Sequence, residues 1–207
     1  MRLGGSMAKI FLVRHGQTHW NLSFRYQGHA DIDLTEKGLL QAEALSVALK
    51  QQKIAAVYTS DLKRAINTGQ IIAKPHHLSP QILPAFKEIS FGLWEGMTYN
   101  EINKKWPGCF QKFTMDAEAI CIPDGESFFD VQQRTMPALR NLINKHKNED
   151  IVIVSHGAAI RTILAGVLHM PLKYVWSIKQ DNTALNIIEH YEDHVILTLM
   201  NDTHHLE

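Results

Sequence analysis

Three aliphatic runs in the chain stop at residues of a different kind. Ile10-Phe11-Leu12-Val13 ends at Arg14-His15-Gly16, Ile151-Val152-Ile153-Val154-Ser155 ends at His156-Gly157, and Ile54 to Thr59 is followed by Arg64. Short β-branched runs of this kind read as buried strands. In an open α/β sheet the carboxyl ends of strands gather at one crevice, which is where ligands bind. Singly, Arg-His-Gly is an ordinary surface turn and Arg64 an ordinary solvated arginine. Together, two permanently charged guanidiniums and two imidazoles make a receptor for a tetrahedral dianion, because arginine matches phosphate oxygens bidentately. A neutral imidazole is also a competent nucleophile near neutral pH, so one of the two histidines can take a phosphoryl group while the remaining charges stabilise its equatorial oxygens. Phosphoryl transfer asks chiefly for positioning and charge neutralisation, so this chemistry calls for no metal and no cofactor.

The elements that must position these groups follow from local pattern. Thr35 caps a helix with apolar Leu39, Ala42, Leu45, Ala48 and Leu49, and Ser60 is expected to cap a second, from about Asp61 to Ala73, ending before Pro75. Arg64 then lies in a first helical turn, where backbone N–H groups favour an anion. A short strand is expected at Gln81 to Leu83. Thr98 with Glu101, and Ser127 with Asp130, start two further helices by capping boxes. The first ends near Trp106-Pro107-Gly108. The second runs to about His146, with Pro137 expected to kink or divide it. The stretch from Cys109 to Glu126 shows no clear period. An apolar helix follows His156-Gly157, and two strands, Ala184 to Glu189 and Val195 to Met200, joined by a turn at Tyr191 to His194, close the sheet antiparallel. The reading is a three-layer α/β/α fold with a mostly parallel central sheet, one antiparallel edge and a helical cap insertion at about 84–135. Residues 7–207 form a single domain; 1–6, with Gly-Gly-Ser, read as a cloning remnant.

With 207 residues, 45% hydrophobic and 20% charged, the chain is an ordinary globular one. Twenty-one basic against 21 acidic residues give no electrostatic case for nucleic acid or an anionic membrane as partner. No apolar stretch spans a bilayer, and two cysteines form neither a CxxC motif nor a disulfide framework, so a cytoplasmic protein is expected. A homodimer is left open. Twelve histidines, including His76-His77 and His204-His205, show no zinc-type spacing with a third ligand, and they read as solvated. Trp94 and Trp106 read as packing residues.

The motifs resemble those of the histidine phosphatase, or phosphoglycerate mutase-like, superfamily. Arg14-His15-Gly16-Gln17-Thr18 resembles its RHG-x-T signature, with Trp20-Asn21 as continuation. Thr59-Ser60-Asp61-Leu62-Lys63-Arg64-Ala65 resembles S-D-L-x-R-A, and Ser155-His156-Gly157 resembles S-H-G. Glu88 with Phe91-Gly92-Leu93-Trp94-Glu95-Gly96 is similar to the E-x-x-F-G-x-W-E-G of a small bacterial phosphatase branch, and Pro123-Asp124-Gly125-Glu126-Ser127 to the P-x-G-E-S of α-ribazole phosphatase-like members, where that loop would face substrate. The resemblance implies that His15 is the nucleophile and Glu88 the acid that protonates the leaving group, then the base on water. Partial burial would let Glu88 hold a proton near neutrality. Arg14, Arg64 and His156 would bind the phosphoryl group, with Asn21, Thr18 and Gly157 as further substrate contacts. Glu95 is the rival carboxylate and is read as structural.

The implied activity is metal-independent phosphomonoester hydrolysis of a small phosphorylated metabolite. The alternatives are a cofactor-dependent phosphoglycerate mutase, whose longer basic and proline-rich insertion is missing here, and a non-catalytic phospho-ligand binding protein.

Overall fold

The computed structural model describes residues 8–116, 121–191 and 194–207. Strand β1 (Ala8–Arg14) leads through a polar loop and a single helical turn, α1 (His19–Leu22), to α2 (Glu36–Leu49), then β2 (Ile54–Thr59), α3 (Lys63–Ala73) and the two-residue β3 (Gln81–Ile82). Helices α4 (Tyr99–Lys105), α5 (Cys109–Met115) and α6 (Phe128–Lys145) precede β4 (Asp150–Ser155) and α7 (Gly157–Val167), and β5 (Leu185–His190) and β6 (Val195–Asp202) complete the sheet. The strand order is β3-β2-β4-β1-β5-β6. β1, β4, β2 and β3 run parallel, while β5 lies antiparallel to β1 and β6 antiparallel to β5.

Side-chain alternation along β1 builds the layers. Ile10 and Leu12 point into a core with Leu139, Leu142, Ile160 and Ile163 of α6 and α7. Phe11 and Val13 point the other way, against Leu45 and Leu49 of α2 and Ala65 and Ile72 of α3. A third cluster, rich in aromatic rings, joins Phe91, Trp94 and Phe113 to Phe128 and to Ala158 and Ala159 of α7. The register sets Arg14 beside Ser155 and Thr59 beside Val154, so the carboxyl ends of β1, β4 and β2 form one ledge. Neighbouring strands lie roughly 4.8 Å apart, which brings the three ends within reach of one small ligand.

Several expectations are corrected. Ser60 does not cap α3: Leu62 is the N-cap, no side chain caps it, and the helix starts at Lys63. The aperiodic stretch after Trp106 contains α5, whose Phe113 is buried among rings. Pro137 does not divide α6, which is continuous on both sides of it. On α2 the buried face is Gly38, Ala42, Leu45 and Leu49, spaced four, three and four residues apart, while Leu39 and Ala48 lie off it and are exposed. The segment 1–6, read as a cloning remnant, and the turn residues Glu192 and Asp193 lie outside the described residues. Among the described residues no helix is long and apolar enough to cross a membrane.

Candidate active site

His15 follows β1 and is almost entirely buried. Its Nδ1 lies 2.7 Å from the Gly16 carbonyl oxygen. A carbonyl only accepts, so Nδ1 carries the proton and Nε2 keeps the lone pair. Burial, then the charges of Arg64 and Arg14, hold the imidazole well below the usual histidine range despite the opposing Gly16 bond. A neutral ring with Nε2 unprotonated is the form a nucleophilic histidine requires.

His156, the N-cap of α7, has its ring centroid 5.1 Å from that of His15. Arg64 Nε donates to its Nδ1 at 3.2 Å, which fixes the proton on Nε2, and Nε2–H donates to Ser60 Oγ at 2.7 Å. Burial and the neighbouring Arg64, His15 and Arg14 keep His156 neutral as well. Ser60, expected as a helix cap, is instead the acceptor that fixes this tautomer, and it also accepts from the Leu62 N–H at 3.3 Å.

Arg64 is fully buried, and half of its task is structural. Its terminal nitrogens donate to the Gly28 and Ala30 carbonyls at 2.7 Å each, clamping the loop after α1. Arg14 donates to the Gln180 carbonyl at 2.6 Å, while its buried Nε has no partner. Buried donors in native proteins are nearly always satisfied, so this guanidinium N–H is free for an acceptor from outside the chain. Burial lowers both arginines to about 10, still charged at neutral pH. A third guanidinium, Arg161, donates through Nε to Ile178 and stacks over Trp176 at 5.4 Å. A Cβ on Gly157 would lie 3.3 Å from Arg161 and 3.6 Å from Arg14 Nε, so Gly157 opens the space in which Arg14 and Arg161 converge.

Glu88 reaches this cluster from the segment before the aromatic core. Its Oε1 accepts from the N–H groups of Ile89, Ala158 and Ala159 at 3.0, 3.1 and 3.1 Å, so the carboxylate sits on the N-terminus of α7. Oε2 has a single longer contact, 3.3 Å from Ala158, and is the less committed of the two oxygens. Burial was foreseeable from sequence; docking on α7 was not. Arg134 of α6 holds the segment in place by donating to the carbonyls of Ala85, Lys87 and Glu88 and to both oxygens of Glu126. Glu126 thus serves as a latch within the Pro123–Ser127 loop, accepting also from Ser90 N–H at 2.8 Å. Glu95 accepts from the N–H groups of His29 and Phe91, joining two loops, which matches its structural reading.

Thr18 is fully buried. It forms a capping box with Asn21 at the start of α1 and contacts Gln27 Oε1 at 2.9 Å, so its hydroxyl is committed to loop structure. Asn21 accepts through Oδ1 from Thr18 and from Asn182, and with Arg14 and Asn182 it lines a crevice of about 710 Å³ whose walls include Trp20, Tyr26 and Tyr99. A larger cavity of about 930 Å³ between α6, α7 and the β5–β6 edge touches none of these groups and bears no relation to the chemistry. The sequence reads Ser60 only as a helix cap and part of a motif, and Arg134, Arg161 and Asn182 escaped the sequence reading. Only Arg161, one α-helical turn beyond Gly157 and so on its face, carried a positional signal.

Comparison with known proteins agrees with this geometry. The chain is 32% identical over 200 residues to phosphoserine phosphatase 1 of Hydrogenobacter thermophilus, covering 97% of this chain and 95% of that one. The structure of Bacillus stearothermophilus YhfR superposes with a TM-score of 0.91 at 35% identity, covering 97% of this chain and all of that one. That of an Entamoeba histolytica phosphoserine phosphatase mutant in complex with phosphoserine gives 0.86 at 33% identity, over 97% and 100% of the two chains. The family model for branch 1 of the histidine phosphatase superfamily matches residues 10–203, and the chain belongs to that family.

Proposed function

We propose that the protein is a metal-independent phosphomonoesterase that works through a phosphohistidine on His15, with phosphoserine or a similarly small phosphorylated metabolite as substrate. The observation that carries the reading is the neutral His15, its proton held on Nδ1, beside an arginine with a buried unpaired N–H. In the first step His15 Nε2 bonds to phosphorus as the ester P–O bond breaks, and the leaving oxygen takes a proton from Glu88 Oε2. In the second, Glu88 removes a proton from water, whose oxygen bonds to phosphorus as the P–N bond breaks and phosphate leaves. Arg14 and the unused N–H groups of Arg64 neutralise the equatorial oxygens throughout. The leaving alcohol occupies the crevice beside Asn21, capped by the stretch at about 84–135, which contributes Thr98, Tyr99 and Asn100 to its wall. The phosphoserine phosphatases among the relatives support the choice of alcohol.

The test is phosphate release from phosphoserine by the wild-type protein and by His15→Ala. We expect turnover that vanadate inhibits and EDTA leaves intact, and none in the variant; full activity in His15→Ala would refute the mechanism. A phosphoglycerate mutase assay with and without 2,3-bisphosphoglycerate separates hydrolysis from transfer to a second alcohol.

A further inference from the structure

Where the β1–β5 ladder ends, the chain makes an unusual turn. The last paired residues are Val13 and Leu185, and Arg14 N–H then reaches the Ala184 carbonyl at 3.3 Å. The residue before, Thr183, has φ +55° and is fully buried. A β-branched side chain in the left-handed region is a genuine outlier, and such strain persists only where its surroundings enforce it.

Those surroundings lead to the nucleophile. Thr183 N–H points at the carbonyls of Arg14 and His15, at 3.1 and 3.3 Å, and Asn182 Nδ2 donates to the His15 carbonyl at 3.0 Å. The other side of the same peptide is held too: Gly16 N–H donates to Thr68 Oγ1 at 3.1 Å, and Thr68 donates onward to the Arg64 carbonyl at 2.8 Å. The His15–Gly16 peptide is therefore gripped at both its oxygen and its nitrogen. The Gly16 carbonyl that binds His15 Nδ1 lies on the next peptide, one Cα away, so a shift of the His15–Gly16 peptide would move the imidazole's acceptor with it.

The left-handed turn is itself tied down. Thr183 has one hydroxyl hydrogen, donated to the Asn182 carbonyl at 2.8 Å, so at 3.1 Å His205 Nε2 must donate to Thr183 Oγ1. A glycine at this position would adopt the same φ without strain but would lose both ties. Asn182 meanwhile spans from the His15 carbonyl to Asn21 Oδ1, at 3.2 Å, joining the nucleophile's backbone to the crevice wall.

We propose that Asn182 and Thr183 are positioning residues for the phosphoryl transfer: the strained Thr183 turn and the Asn182 amide lock the His15–Gly16 peptide and so aim the His15 imidazole. The kinetic part of this inference rests on the phosphatase reading; the geometric part does not.

The test uses the full-length protein with Asn182→Ala, Asn182→Asp, Thr183→Gly and Thr183→Ser. Turnover of p-nitrophenyl phosphate is split into kcat and KM, inhibition by inorganic phosphate measures anion binding, and 15N NMR reports the His15 imidazole. Misplacing a nucleophile costs rate rather than ground-state binding, so kcat should fall on the order of tenfold or more in Asn182→Ala and Thr183→Gly, with phosphate inhibition changed less than about twofold. Asn182→Asp, which keeps shape but not the donor, should fall at least as far as Asn182→Ala. Thr183→Ser, which keeps N–H and hydroxyl, should stay near wild type. Wild-type kcat in folded Asn182→Ala or Thr183→Gly, or a change confined to KM, overturns the proposal. If Thr183→Gly does not fold, the Asn182 pair decides on the same terms. A wild-type protein without turnover refutes the phosphatase reading alone, and the His15 15N signals then decide: they should shift and broaden in Asn182→Ala, and unchanged signals overturn the positioning role.

Discussion

Replacing Arg134 by methionine should weaken both the fold and the chemistry, by amounts that the structure sets. The guanidinium makes five hydrogen bonds, two to the Glu126 carboxylate at 3.0 and 2.9 Å and one each to the carbonyls of Ala85, Lys87 and Glu88 at 2.9, 2.7 and 2.8 Å. Methionine restores much of the apolar stem but leaves three carbonyls and one carboxylate without this donor. Hydrogen bonds to charged groups are worth about 1.5–3 kcal/mol, and some of that returns through water, since the side chains of Arg134 and Glu126 are 22% and 24% exposed. A net loss of ~3 kcal/mol follows, and for a chain of this size that lowers Tm by about 6–12 °C. The Glu88 carbonyl would retain its contact with His29 Nε2 at 2.9 Å, so the Glu88 carboxyl, the proposed acid, should wander and kcat fall on the order of tenfold. The assays are thermal unfolding and phosphoserine turnover, with Glu126→Gln and the double variant to complete a cycle. Burial raises the Glu126 pKa, but the Arg134 hydrogen bonds, the Ser90 N–H and nearby charge outweigh it, and the carboxyl is held below its ordinary value. Its contribution is therefore present above the usual carboxylate range and lost as pH falls through the depressed value, so the stability gap between wild type and Arg134→Met should narrow in acid to what the three carbonyl bonds supply. A Tm drop under about 2 °C with unchanged kcat would refute the latch.

Other consequences can be measured with similar means. His15 and His156 are both held neutral by burial and by Arg64, so the unfolded chain takes up protons below about pH 6.5 that the folded one refuses. Stability should thus be full above that pH and decline beneath it, and a His156→Gln variant should show a shallower acid decline of Tm. Ser60→Ala leaves a buried His156 Nε2–H unpaired and should cost about 1–3 kcal/mol by denaturant unfolding, together with a fall in kcat; an unchanged unfolding midpoint would show that the tautomer is held otherwise. Gly157→Ala places a methyl group against Arg161 and Arg14. Arg161 at 3.3 Å must give and its side chain can, while Arg14 Nε at 3.6 Å stays in ordinary contact, so the protein should fold normally while kcat/KM drops and weaker vanadate inhibition reports the methyl group that covers the unpaired Arg14 Nε.

Local encoding explains why some of this was readable in advance. A strand's alternation and a capping box are decided within two to four residues, so β1, β2 and β4 and the starts of α4 and α6 follow from Ile10–Val13, Ile54–Thr59, Ile151–Ser155, Thr98–Glu101 and Ser127–Asp130. Where parallel strands end in Arg14-His15 and Ser155-His156 and a third leads to Arg64, sheet pairing brings these groups to one ledge, which is why the anion pocket was foreseeable. The failures are of a different kind. Ser60 has the composition of a cap, yet its hydroxyl was taken by His156, 96 residues away. Residue type cannot reveal that Glu88 rests on α7, that Arg134 gathers three carbonyls from another segment, or that Thr183 is driven into a left-handed turn. Each depends on which backbone donors and acceptors remain unpaired once the layers have packed, a remainder that exists only in the assembled structure. The sequence by itself determined the kind of chemistry and the elements that carry it. Tertiary packing decided which nitrogen of each histidine holds the proton and what keeps His15 and Glu88 in place.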